Sequence, residues 1–215
     1  GKRALVTSGP THEPVDPVRV MANRSSGQQG QAVAAALAAA GADVTLVTGP
    51  VALPPPVGVH VQRVETADDM LAAAQAALPA DIAVFAAAVA DWKPKDAAPE
   101  KLKKQADHDE LELRFVKNPD ILATIAQGEP RPGLVVGFAA ETENLVDNAR
   151  AKRQKKQVDW ILANDVSGGA VFGAANNAVT LVTGDGPDDV ETWPELSKSQ
   201  VAARLVARMV EGLEP

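Results

Sequence analysis

Short apolar runs alternate along this chain with longer stretches in which alanine, leucine and charged residues recur at helical spacing. Ala4-Leu5-Val6-Thr7, Val44–Thr48, Ile82–Phe85, Leu134–Phe138, Trp160–Ala163 and Val179–Val182 are each four or five residues long, nearly all apolar, and read as buried strands. Val59–Val64 and Leu111–Val116 alternate apolar with polar residues and read as half-buried strands. Between them lie helical segments: Gly30–Leu37 closing at Gly41, Thr66 capping a helix to about Leu78, one from Pro119, Glu143–Lys156, and an amphipathic stretch from Glu195 to Val210. Strands separated by single helices imply βαβ crossovers. The expected fold is therefore α/β: a Rossmann-like, mostly parallel sheet flanked by helices. Val190–Trp193, after the Gly184–Asp189 turn, pairs with Val179–Val182 and adds an antiparallel strand near the C-terminal edge. No linker or internal repeat divides residues 1–215, which read as a single domain.

Composition narrows the chemistry. Of 215 residues, 46% are apolar and none is cysteine, which excludes disulfides, thiolate metal sites and cysteine nucleophiles and suits a reducing compartment. A formal charge of −7 disfavours a general nucleic-acid or anionic-membrane binder. His12, His60 and His108 share no metal-ligand spacing, and no apolar run reaches the ~20 residues of a membrane span. The chain opens Gly-Lys-Arg rather than with methionine, as expected of a processed or excised piece.

Ligands in open α/β sheets sit beyond the C-terminal strand ends, so Ser8–Gly27, Ala86–Lys104, Phe138–Glu141 and Ala163–Gly173 are the segments to inspect. Ser25-Ser26-Gly27-Gln28-Gln29-Gly30 opens a helix whose free N–H groups suit an anion, although an ordinary helix cap explains it as well. It is neither a phosphate-binding Walker loop nor a dinucleotide fingerprint. Arg19 can grip a phosphate or carboxylate, and Asn23 can donate to a developing oxyanion; turn formation is the plainer role for Asn23. Small residues at Ala86–Ala88 let a ring approach the backbone. Asp91 suits a sugar hydroxyl, a base amino group or a metal. Lys101 can neutralise a transferring phosphoryl group, although a lysine in a run is commonly surface charge. Residues 87–109 are too long for a passive connector, and Arg150, Lys152, Arg153, Lys155 and Lys156 form a second basic concentration. Phe138 either lies on a base or belongs to the core. Spacing alone supports a phosphate-rich nucleotide site and no more.

Taken together, the ordered motifs are specific. Thr7-Ser8-Gly9-Pro10-Thr11-His12-Glu13-Pro14-Val15-Asp16-Pro17-Val18-Arg19, Asn23-Arg24-Ser25-Ser26-Gly27, Ala87-Ala88-Val89-Ala90-Asp91, Lys101-Leu102-Lys103-Lys104, Lys117-Asn118-Pro119-Asp120-Ile121, Gly137-Phe138-Ala139-Ala140-Glu141-Thr142 and Ala163-Asn164-Asp165-Val166 closely resemble the phosphopantothenate–cysteine ligases of bacterial coenzyme A biosynthesis. The resemblance covers essentially the whole chain. It implies a cytoplasmic enzyme, commonly a homodimer and commonly fused to a flavin-dependent phosphopantothenoylcysteine decarboxylase that nothing in this chain resembles. It also implies a reaction of phosphopantothenate, cysteine and CTP with Mg2+, through a phosphopantothenoyl-cytidylate.

Position by position, the resemblance implies catalytic roles for Lys101, Asn23 and Arg19. Phe85, Ala86, Ala87, Ala88, Asp91, Lys101, Pro119, Asp120, Ile121, Leu122, Phe138, Lys152 and Lys156 would contact CTP, the last two from a flexible flap. Arg19, Asn23, Ser25, Ser26 and Gly27 would contact phosphopantothenate. The resemblance names no metal ligand in the protein. Two alternatives stand beside it: a short-chain NAD(P) oxidoreductase, which lacks its glycine fingerprint and any tyrosine, and a non-catalytic nucleotide-sensing module.

Overall fold

The computed structural model describes residues 1–103, 110–141, 143–165 and 176–213. Lys104, His108, Thr142, Val166 and Gly173, named above, lie outside the described residues. Eight strands form the main sheet: β1 (Arg3–Ser8), β2 (Asp43–Thr48), β3 (Val59–Arg63), β4 (Ile82–Phe85), β5 (Leu134–Glu141), β6 (Trp160–Asp165), β7 (Val179–Val182) and β8 (Val190–Thr192). Their spatial order is β8-β7-β6-β5-β4-β1-β2-β3. Strands β1 to β6 run parallel, while β7 is antiparallel to β6 and β8 to β7. The order reverses between β1 and β4, the switch point where a doubly wound sheet opens its cleft.

The pleat sends alternate residues of each strand to opposite faces. Ala4 and Val6 of β1 join a core built with helices α1 (Gln28–Ala39) and α5 (Lys198–Leu213) through Val33, Leu37, Leu205 and Met209. Leu5, between them, joins the opposite core with α2 (Ala67–Ala76), α3 (Ile121–Gln127) and α4 (Leu145–Lys156) through Met70, Ile125 and Ala149. Fully burying a side chain such as Leu5 or Leu46 contributes about 1.5–3 kcal/mol, so both faces of the sheet hold its helices in place.

Several boundaries differ from expectation. Of Leu111–Val116, Phe115 and Val116 are in a strand, Phe115–Lys117, which pairs with Trp92–Pro94. The alternation there has no core to face, since Leu111 is 58% exposed and Phe115 42%. Helix α2 ends at Ala76, two residues short of Leu78, because Pro79 disfavours the helical region for the residue before it. Helix α3 starts at Ile121, with Asp120 accepting from Ala123 N at 3.1 Å as its cap. Helix α4 starts at Leu145 after Asn144 turns left-handed, and α5 starts at Lys198 because Leu196–Ser197 pairs with Asn176–Asn177. The proline-bearing stretch after β1 forms a hairpin of His12–Pro14 with Val20–Ala22.

Candidate active site

The C-terminal ends of β1 and β4 are laced together beyond the sheet. Ala86 N donates to Thr7 O (3.1 Å), Ala88 N to Gly9 O (2.9 Å) and Ala90 N to Thr11 Oγ1 (3.0 Å). Gly49, at the end of β2, packs so closely that an added Cβ would lie 1.6 Å from Pro10 O. These bonds carry the small residues Ala86–Ala88 past the sheet edge as a fixed platform. Asn23 joins it by donating Nδ2 to Val89 O at 2.9 Å, and Asn118 by donating Nδ2 to Ala90 O at 2.8 Å. Asn118 N also donates to Asp91 O at 2.9 Å, which brings the start of α3 to the same strand end.

Helix α1 opens on Gly27 at φ 73°, a left-handed turn with no side-chain cap. Ser25 Oγ accepts from Gly27 N (3.3 Å) and Ser26 Oγ from Gln28 N (3.4 Å), so both hydroxyls turn back on the helix start. Gly30 is needed for contact rather than flexibility: a Cβ there would lie 2.5 Å from Ser8 Oγ. Ser8 in turn donates to Gly27 O at 2.9 Å and is completely buried.

Arg19 is held rather than free. Its Nε donates to Asp16 Oδ2 at 2.9 Å and its Nη2 to Asp16 Oδ2 and to Leu102 O (3.0 Å). The Arg19 guanidinium beside Asp16 holds that carboxyl far below the usual carboxylate range, despite its burial. Lys101, next to Leu102, has an exposed side chain.

Lys152 and Lys156 lie on α4, a regular helix packed against the sheet. Lys152 donates to Phe138 O at 3.0 Å, and burial pushes its ammonium down while Glu141 and Asp91 oppose the shift. Lys156 pairs with Asp120. Phe138 is half-buried against the first core, whereas Phe85 and Ile121 are core side chains, leaving only their backbone for any ligand. The predicted residues thus fall into two groups: Asn23, Ala86–Asp91 and Arg19 with Lys101 around β1 and β4, and Phe138, Lys152, Lys156 and Asp120 around β5 and α4. Asp91 bridges them through Asn118 and through its charge on Lys152. A separate open groove of about 910 Å³, lined by His12, Gly49, Pro50, Arg63, Glu65 and Asp69 among others, contains none of them. Thr11 and Ser8 tie the strand end to Ala90 and Gly27. Their contacts are long-range bonds to single backbone atoms, which leave no spacing signal.

Comparison with known proteins settles the family. Residues 1–213 match the model of the DNA/pantothenate metabolism flavoprotein C-terminal domain. The chain belongs to this family. The chain is similar to the coenzyme A biosynthesis bifunctional protein CoaBC of Vibrio cholerae, 45% identical over 96% of this chain and 51% of that protein. To the Escherichia coli K12 protein of the same name it is 50% identical, over 85% of this chain and 46% of that one. The chain therefore spans about half the length of the curated relatives it matches. A crystal structure of the C-terminal domain of a CoaBC superposes with a TM-score of 0.82 at 37% identity, covering 99% of this chain and 96% of that one. Family membership sets the short-chain oxidoreductase alternative aside.

Proposed function

We propose that the chain is a CTP-dependent ligase joining phosphopantothenate to cysteine through phosphopantothenoyl-cytidylate, in coenzyme A biosynthesis. The observation that carries this reading is the convergence of Asn23 on Val89 O, Asn118 on Ala90 O and Lys152 on Phe138 O, beyond neighbouring strands of a domain whose relatives are coenzyme A biosynthesis proteins. In the first step a carboxylate oxygen of phosphopantothenate bonds to the α-phosphorus of CTP and pyrophosphate leaves. In the second the cysteine amine bonds to the acyl carbon, CMP leaves and the amine loses a proton. Lys101 stabilises charge on the transferring phosphoryl group, and Asn23 donates to the acyl oxygen. Lys152 and Lys156 meet the triphosphate, whose charge offsets the burial of the Lys152 ammonium. Arg19 reaches the substrate only as part of its pair with Asp16.

Among the described residues no group of three or more acidic or histidine side chains could hold a metal alone. Asp91 and Glu141, both close enough to act on the Lys152 charge, suit a magnesium ion carried by the triphosphate, which takes one or two carboxylates beside phosphate oxygens. Such an ion would neutralise the phosphates. Exposed Val20, Trp92 and Phe115 on the two hairpins supply an apolar surface for a second copy, supporting a homodimer. A fused decarboxylase partner fits the length of the relatives. Pyrophosphate release tests the reading: it should require both CTP and phosphopantothenate, with CTP preferred over ATP. Release without phosphopantothenate, or none with both, sinks it.

A further inference from the structure

The Asp16 carboxylate is fully buried, yet it serves residues far apart in the chain. Its Oδ1 accepts from Val18 N (2.9 Å) and Arg19 N (2.8 Å), and its Oδ2 from Arg19 Nε (2.9 Å), Arg19 Nη2 and Leu102 N (3.0 Å). Arg19 Nη2 continues to Leu102 O at 3.0 Å. One ion pair therefore grips both the N–H and the C=O of a single residue, 86 positions along from Asp16. Ala98 N, donating to Val15 O at 2.9 Å, stitches the same two segments together again. Bonds to a charged acceptor are shorter and roughly twice as strong as neutral ones, so the grip on Leu102 is firm.

We propose that Asp16 is a positioning residue: by holding Arg19 and the Leu102 peptide it fixes the backbone from which Lys101 reaches the transferring phosphoryl group. This rests on the role given to Lys101 under the proposed function. A lysine on a free loop would spend binding energy ordering its own backbone, and a displacement of about 1 Å can cost about 10²-fold in rate. The Arg19 guanidinium keeps the Asp16 carboxyl ionised through the acid range, so the clamp stays charged wherever the enzyme works.

A double-mutant cycle on the intact chain tests this, read as pyrophosphate release from CTP and phosphopantothenate. Asp16→Asn should lower kcat about 10²-fold with a smaller change in the KM for CTP. In a Lys101→Gln background the same change should cost no more than about threefold, because the group it positions is gone. Equal losses in both backgrounds overturn the proposal, since Asp16 would then act on the substrate or the fold independently of Lys101. Trypsin provides a readout without turnover: cleavage of the Lys101–Leu102 bond, followed by mass spectrometry, should quicken about tenfold in Asp16→Asn. An unchanged cleavage rate also overturns it. If Asp16→Asn does not fold, Asp16→Glu, which keeps the charge but moves the carboxylate out of register with the Leu102 N–H, takes its place in both measurements. If the unaltered chain releases no pyrophosphate, the proposed function fails, and the cleavage rate still decides whether the clamp exists.

Discussion

Burial of the Lys152 ammonium against the Phe138 carbonyl makes it a group kept at a cost to stability. Its proton is held less tightly in the folded chain than in the unfolded one, so the unfolded state binds more protons between the two pKa values and stability rises with pH there. Lys152→Met should therefore raise the stability of the ligand-free chain at neutral pH by about 1 kcal/mol, and the advantage should shrink as pH climbs toward the ordinary lysine range. The same variant should bind CTP at least about tenfold more weakly by calorimetry. Lys101→Gln should cost about 10²–10³ in turnover, measured as pyrophosphate release, while phosphopantothenate binding changes little. Asn23 spends one amide hydrogen on Val89 O and, under the proposed function, offers the second to the acyl oxygen. Asn23→Asp loses both donors, so a single-turnover quench should find acyl-cytidylate formed once and then stalled on the enzyme. Absence of any pyrophosphate from that variant would move Asn23 to the activation step. The residue types of this site were legible in the chain. Their partners were not, because a side chain bonded to one distant carbonyl leaves no periodicity.

At the scale of elements, the contact between α1 and β1 is set by the lack of a side chain at Gly30. Gly30→Ala should destabilise the chain by about 1–3 kcal/mol in denaturant unfolding, since its Cβ would meet Ser8 Cβ and Oγ at 2.6 and 2.5 Å. A gain in stability, as helix propensity alone would give, would show that the helix can move away. The long elements could be read from sequence because each buries a continuous face: every main-sheet strand from β1 to β7 is expected within a residue or two, except β5, which runs on through Ala139 and Ala140 to Glu141. The antiparallel pairing of Val190–Thr192 with β7 was expected as well. The pairings of His12–Pro14 with Val20–Ala22 and of Trp92–Pro94 with Phe115–Lys117 could not be read, since three-residue strands are too short to specify a partner. The apolar alternation that did exist, at Leu111–Val116, pointed to a core that this chain does not provide.

For the whole molecule, three of the large apolar side chains left exposed lie on those short strand pairs: Val20 is 46% exposed, Trp92 47% and Phe115 42%. A homodimer seated there should give twice the chain mass, about 45 kDa, by light scattering, with 22.3 kDa per chain, and Phe115→Glu should shift it to monomer. A monomer in the unaltered chain at micromolar concentration would leave that surface to another partner. The sequence by itself determined the doubly wound sheet, because each βαβ unit writes its period and its crossover hand locally. It also determined the family, through motifs that cluster at the strand ends. Only the tertiary structure decided that Arg19 is occupied by Asp16, that Lys152 is half-buried on a packed helix, and that Leu102 is clamped beside Lys101. Those three facts come from hydrogen bonds and burial between segments far apart in the chain, and such contacts exist only once the cores have brought the segments together.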